Sequence, residues 1–124
     1  MGIHNKILDG GKSMGKFGEV AVKAVEYVKE GLDPRSAWEE ASCEIFERGS
    51  SLQKKGCPKN AFLGLYGGNG KNAEYAKVAL TYLKSNPNTE VTEHQLWEIV
   101  MSGVHKAYNH QMDVVLSLYK EGLF

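Results

Sequence analysis

The sequence predicts an all-α fold, a compact bundle of about five to six short helices. Apolar residues recur at the i, i+3, i+4 spacing of a buried helix face, and residues that start and stop helices separate these stretches. No stretch reads convincingly as a strand. Residues 1–15 hold four glycines and little periodicity, so we expect a flexible N-terminal arm there. Residues 16–124 are expected to form a single helical domain, which the 124-residue length also favours.

The first two predicted helices have the clearest signals. One apolar stripe follows Lys16 and consists of Phe17, Val20, Ala21, Ala24, Val25 and Val28. Gly31 is a natural stop for that helix. The pair Asp33-Pro34 then starts a second helix, because Asp caps well and Pro fits a first turn. Trp38 on this helix is expected in the core.

Four more helical segments follow. The pair Cys57-Pro58 is predicted to cap a short apolar helix, and residues 72–85 carry a further stripe. Thr92 and Gln95 have the spacing of a capping box, in which each side chain bonds the other's backbone N–H. Trp97 lies on the helix that follows and is expected in the core. Asn109 is predicted to cap the last helix, which ends at Gly122.

Composition and charge exclude several classes of protein. The 15 basic and 15 acidic residues balance, so nucleic acid is an unfavoured partner. No run approaches the roughly 18 apolar residues of a membrane span, and residues 1–15 lack the apolar core of a secretory signal. The two cysteines, Cys43 and Cys57, are too few for a disulfide framework. These observations predict a cytoplasmic protein that does not contact a membrane.

A local basic segment stands out in this neutral chain. Residues 48–73 contain no acidic residue, and three lysines, Lys54, Lys55 and Lys59, surround Cys57. A thiol at a helix start near lysines is favoured in its thiolate form. The same segment is expected to attract phosphate groups or an acidic partner surface.

A second polar segment begins the last helix. It comprises Asn109, His110, Gln111 and Asp113 around the apolar Met112. Capping explains Asn109 and Asp113, whereas His110 and Gln111 also suit a ligand or partner. No histidine pair has the spacing of a metal-binding helix, so neither a metal nor another cofactor is expected.

Two segments, KKGCPKNAFLGL at 54–65 and NHQMDVVL at 109–116, resemble a family of small bacterial proteins of unknown function. The resemblance extends over most of residues 14–124. It implies signature regions at these segments but no reaction. In similar proteins a second cysteine stands where this chain has Tyr66, which weakens any proposal that needs two thiols there. The resemblance also suggests an accessory protein carried on a mobile element.

We therefore predict a non-enzymatic binding protein whose two polar segments share one pocket. Its ligand would be an anionic small molecule or an acidic protein surface, contacted by the residues Lys54, Lys55, Cys57, Lys59, Asn60, Asn109, His110, Gln111 and Asp113. One alternative is a thiol-dependent enzyme with Cys57 as nucleophile and His110 as base. Another is a helical nucleic-acid-binding protein. An apolar stripe left exposed would indicate a homodimer.

Overall fold

The computed structural model describes residues 15–124, and six helices make up the regular structure of this range. They are α1 (Lys16–Lys29), α2 (Pro34–Ile45), α3 (Gly56–Leu65), α4 (Lys71–Ser85), α5 (Glu93–Met101) and α6 (Gln111–Lys120). No strand occurs in the same range, which confirms the predicted all-α bundle. The arm predicted for residues 1–15 lies outside the described residues, except for Gly15. None of the six helices combines the length and hydropathy that crossing a membrane requires.

Helix starts follow the sequence signals at two places. The Asp33 carboxylate accepts a hydrogen bond from the Ser36 amide at 3.1 Å, and this contact lowers the pKa of Asp33. Thr92 and Gln95 form the predicted capping box through bonds of 2.9 and 3.1 Å. These side chains satisfy amide groups that a helix start leaves without a partner inside the helix.

Two helix starts differ from the prediction. Helix α3 begins at Gly56 with Lys55 as its N-cap, so Cys57 lies inside the first turn instead of capping it. Pro58 still fits there, because a backbone N–H in the first turn has no carbonyl partner within the helix, and proline lacks this N–H. Helix α6 has His110 as its N-cap, in place of the predicted Asn109.

The core consists of two clusters of buried side chains. One joins α1 and α2 and contains Trp38, and the other joins α4 and α5 and contains Trp97. These two side chains are 1% and 5% exposed, which confirms both as core residues. Helices α3 and α6 contribute to both clusters: Phe62 belongs to the first and Ala61 to the second. The boundary at residue 16 of a single domain stays a prediction.

Helix α6 is the most enclosed helix, because it packs against α1, α3, α4 and α5. Seven of its ten residues are buried. Its first turn is therefore surrounded by neighbouring elements. Polar groups at this position need partners within the protein, since burying an unpaired polar group is costly.

Helix α3 is held tightly at its C-terminal half. A Cβ atom added to Gly64 would lie 2.5 Å from the Ala73 Cα on α4, closer than real Cβ atoms approach. At the other end of α3, a Cβ on Gly56 would meet only the Asn60 side chain, at 3.7 Å. The C-terminal half of α3 is thus packed closely against α4 at Gly64, whereas the backbone at Gly56 has room for a side chain.

Candidate binding site

The start of helix α3 carries positive charge that no acidic side chain within residues 15–124 neutralises. Lys54 is exposed and Lys55 half-buried, and neither forms an ion pair within residues 15–124. Lys55 caps the helix without a side-chain hydrogen bond, and the first turn holds no acidic residue. Within the described range, the amides of Gly56 and Cys57 also have no acceptor. A helix start of this kind favours negative charge through its dipole and its free N–H groups.

Lys59 differs from its neighbours because it has a partner. Its Nζ lies 3.0 Å from a carboxylate oxygen of Glu39 on α2. This hydrogen bond lowers the pKa of Glu39, against the opposing effect of burial. Lys59 therefore links α3 to α2, and its charge is largely matched. Of the three predicted lysines, Lys54 and Lys55 keep their charge available.

Gln53 anchors the connection between α2 and α3 through hydrogen bonds of its side chain. Its side chain is 6% exposed, donates to the Ser42 hydroxyl at 2.9 Å and accepts from the Gly49 amide at 3.0 Å. A longer contact of 3.4 Å reaches Glu39. The backbone before the two free lysines is consequently held against α2, so their position is defined by the fold.

Cys57 lies half-buried in the first turn of α3, beside the two free lysines. It is not in a disulfide, and neither is Cys43, which is also half-buried. No side-chain hydrogen bond among residues 15–124 involves the Cys57 thiol. The ring of His110, predicted as its base in the enzyme alternative, bonds to Asp113 instead.

The start of helix α6 is a closed hydrogen-bond cluster. Asp113 accepts from the Tyr108 hydroxyl, and its other oxygen lies 3.0 Å from Nδ1 of His110. The amide of Asp113 donates to the same Tyr108 hydroxyl at 2.9 Å. Tyr108 therefore performs the capping that the sequence assigns to Asn109. His110 has a left-handed backbone with φ 66°, a region in which His occurs more often than most residues.

Two further predicted residues belong to this cluster. The backbone N–H of Asn109 donates to the Gln111 side-chain oxygen at 2.9 Å. The Gln111 side-chain nitrogen donates to Asn72 on α4, also at 2.9 Å. Gln111 is 2% exposed, so both ends of its amide are used inside the protein. The residue serves to tie α6 to α4.

Aromatic rings enclose the same cluster. The His110 ring lies 4.9 Å from that of Phe17, and the Tyr108 ring lies 4.9 Å from His94 and 5.5 Å from Trp97. Burial raises the pKa of Tyr108 well above its ordinary value of 10.0, and the bond to Asp113 adds to this effect. The His110 side chain remains 45% exposed and is the member most accessible to a ligand.

Comparison with models of known protein families identifies a match that covers most of the chain. The model of a family of unknown function, DUF6979, matches residues 14–124. The chain belongs to this family. Neither the curated proteins nor the solved structures contain a match. That the two segments at 54–65 and 109–116 are the signature of DUF6979 stays a prediction.

The two polar segments of this DUF6979 member have separate contacts. Lys59 bonds to α2, whereas the residues at the start of α6 bond to Tyr108 and Asn72. No hydrogen bond, ion pair or ring contact within residues 15–124 joins one segment to the other. The single shared pocket therefore stays a prediction. The same range contains no group of three His, Cys, Asp or Glu side chains arranged as metal ligands.

Sequence reasoning missed the partners that define each segment. Glu39 is 20 residues from Lys59, and Asn72 is 39 residues from Gln111. No periodicity or motif connects residues so far apart. Tyr108 is only five residues from Asp113, but its role depends on the chain reversing direction at the left-handed His110.

Proposed function

We propose that this protein acts by binding, and that it takes an anionic group at the start of helix α3. The binding residues are Lys54, Lys55, Cys57 and Asn60, with Lys59 shaping the site from its ion pair. The anion is carried by a small molecule or by an acidic protein surface. His110, the exposed member of the α6 cluster, is the residue of the second segment that would reach the same ligand.

One observation carries the proposal: two lysines and two backbone amides at one helix start have no partner within residues 15–124. Elsewhere in the bundle, buried polar side chains of the described range all have hydrogen-bond partners. The neighbouring carboxylate, Glu39, is already engaged by Lys59 and Gln53. Two lysines without an ion pair thus lie at a place where the backbone also offers donors.

The geometry suits a compact oxyanion such as a phosphate or carboxylate group. Gly56 and Cys57 supply N–H donors along the helix axis, and the Asn60 side-chain amide lies beside Gly56. Charge-assisted hydrogen bonds of this type are stronger than bonds between neutral groups. A compact anion would therefore use the amides and the lysines together.

The thiol-dependent enzyme is retained as a second proposal, because Cys57 lies at the same helix start. It requires a base near the thiol, and the described contacts of His110 are with Asp113, Phe17 and Tyr108. A binding protein keeps its anion affinity in a Cys57→Ser variant, whereas the enzyme loses turnover. Alkylation of Cys57 no faster than a free thiol at neutral pH contradicts the enzyme.

Localisation and partners follow as further proposals. Two free thiols are typical of the reducing cytoplasm, which supports a cytoplasmic location. A bacterial source and an accessory role on a mobile element rest on the resemblance alone. The large apolar side chains that are most exposed, Leu52, Val78, Ile99 and Val104, lie on four different elements. A homodimer stays a prediction that sedimentation will test.

Calorimetric titration with inorganic phosphate tests the binding proposal. The Lys54→Gln/Lys55→Gln double variant is expected to weaken phosphate binding about tenfold, which corresponds to roughly 1.4 kcal/mol. The matched control is Lys29→Gln/Lys84→Gln, which removes two positive charges from the ends of other helices. Equal weakening in both double variants shows a general charge effect and contradicts a site at α3. Strong retention on heparin that falls steeply with salt indicates the nucleic-acid alternative.

A further inference from the structure

A cavity, separate from the α3 start, lies between helix α5 and the connection that follows it. Its volume is about 440 Å³, which is within the range of small-molecule sites, roughly 300–1,000 Å³. Trp97 and Met101 of α5 line it from the core side, and Val104 lines it from the connection. Val104 is 64% exposed, so an apolar side chain is held at the cavity without being covered. Val104 is therefore the apolar side chain at the cavity that a ligand would bury most, while Trp97 and Met101 form its floor.

The connection over this cavity has a defined backbone. Ser102 and His110 bracket it, and they are the two non-glycine residues of the range 15–124 with positive φ, at 50° and 66°. Such backbone costs free energy and often occurs at functional sites. The Trp97 indole N–H donates to the Lys106 carbonyl oxygen at 3.1 Å, which fixes the middle of the connection to α5.

Charged groups of both signs line the cavity. Glu98 lies on α5, and His105 and Lys106 lie on the connection. No ion pair within the described residues engages any of the three. The Lys106 ammonium is 5.7 Å from the centre of the Tyr75 ring, a cation–π contact that leaves its charge unneutralised.

From this combination we infer that the cavity binds a small zwitterion with an apolar body, of the class of the apolar α-amino acids. The ligand's carboxylate pairs with Lys106 and His105, and its ammonium group pairs with Glu98. Its apolar side chain packs on Trp97 and Met101. An ordinary anion would meet repulsion from Glu98, and an ordinary cation would meet repulsion from Lys106. The inference does not depend on the anion site at α3, since the two sites share no residue.

Titration with L-phenylalanine, followed through the Trp97 indole N–H resonance, tests this inference. We expect a saturable shift of that resonance and a smaller response of the Trp38 indole, which lies in the other core cluster. The comparison ligands are 3-phenylpropionate, which lacks the ammonium group, and 2-phenylethylamine, which lacks the carboxylate. Each is expected to bind at least fivefold more weakly. Equal binding of the three compounds, or no saturable shift, overturns the inference.

Two variants separate the charges of the site. Glu98→Gln is expected to weaken phenylalanine binding at least fivefold while leaving 3-phenylpropionate binding unchanged or stronger. Lys106→Gln is expected to weaken binding of both carboxylates, and Lys84→Gln on α4 serves as the control. Phenylalanine affinity that is unchanged in Glu98→Gln and Lys106→Gln contradicts the assigned roles.

Discussion

Helices α3 and α6 begin in opposite ways, although both starts attract negative charge by the same physics. At α6 the protein supplies its own anion, Asp113, and surrounds it with Tyr108 and His110. At α3 the first turn holds no acidic residue, and Lys54 and Lys55 add positive charge without a partner in the described range. One helix start is therefore completed within the bundle, whereas the other has no acidic partner among residues 15–124.

The difference distinguishes structural polar residues from available ones. Before folding, both segments look like clusters of polar side chains next to a helix start. In the folded protein, Gln111 is 2% exposed and its side chain both donates and accepts a hydrogen bond, whereas Lys54 is exposed and has no ion-pair partner among residues 15–124. A polar residue whose hydrogen bonds are already used contributes stability, and one without a partner is free to bind.

The largest expected effect comes from Gly64→Ala at the packed end of α3. The added Cβ would clash with the Ala73 backbone, and overpacking of this kind costs about 1–3 kcal/mol. The matched control is Gly56→Ala at the open start of the same helix, where the free energy of unfolding should change by less than about 0.5 kcal/mol. Urea denaturation measures both. Equal destabilisation would contradict the claim that the backbone is closely packed at Gly64 and open at Gly56.

Removal of the Asp113 carboxylate tests how much its hydrogen bonds at the start of α6 stabilise the protein. Asp113→Ala leaves the Tyr108 hydroxyl and His110 Nδ1 without their acceptor, which should cost about 1–3 kcal/mol. Glu74→Ala is the control, because Glu74 is also acidic and in a first turn, but it is exposed. Its loss should cost less than about 0.5 kcal/mol in the same thermal denaturation. A cost for Glu74→Ala as large as that for Asp113→Ala would mean that the cluster adds nothing beyond the helix dipole.

An acidic residue placed at the start of α3 should give this helix a carboxylate partner of its own, as Asp113 does for α6. Lys55→Asp puts a capping carboxylate at the N-cap and is expected to stabilise the protein by about 0.5–2 kcal/mol while weakening phosphate binding. Lys54→Asp makes the same charge change one residue earlier, where capping geometry is absent, and should stabilise less. Denaturation and calorimetry on both variants compare these effects. No gain for Lys55→Asp would show that the helix start is already satisfied.

The smallest expected effect is the loss of stability at alkaline pH that comes from the titration of Tyr108. Its pKa is raised in the folded protein, so the folded state holds the proton more tightly than the unfolded state. The stabilisation is complete below about pH 10, where an unfolded tyrosine is still protonated, and decreases as the pH rises further. Tyr108→Phe should reduce this alkaline slope of the free energy of unfolding. An unchanged slope would contradict the buried, Asp113-bonded phenol.

Much of the fold was predictable because its signals are local. The Asp33 cap, the Thr92 and Gln95 capping box and the burial of both tryptophans depend on residues close together in the chain or on helical spacing. The prediction that Asn109 caps α6 was wrong. The Tyr108 hydroxyl accepts from the Asp113 amide instead, and it reaches this position because the chain turns at the left-handed His110. A side chain five residues upstream gives no periodic signal of this role.

The candidate site was predictable only in part, for a related reason. The absence of acids from residues 48–73 marks Lys54, Lys55 and Lys59 together. Which of the three is neutralised depends on Glu39 of α2, and only the packing of α2 on α3 shows this. The cavity beside Trp97 could not be predicted from the sequence, because residues such as Glu98, His105 and Lys106 are equally common on surfaces that bind nothing.

The central claim, that the start of α3 binds an anion, is tested most directly by amide NMR during a phosphate titration. We expect saturable shifts at Gly56, Cys57 and Asn60, with the amides of Gln111 and Asp113 shifting less because their helix start already has a carboxylate. The shifts should disappear in the Lys54→Gln/Lys55→Gln variant. Shifts that do not saturate, or that are largest away from α3, would contradict the claim.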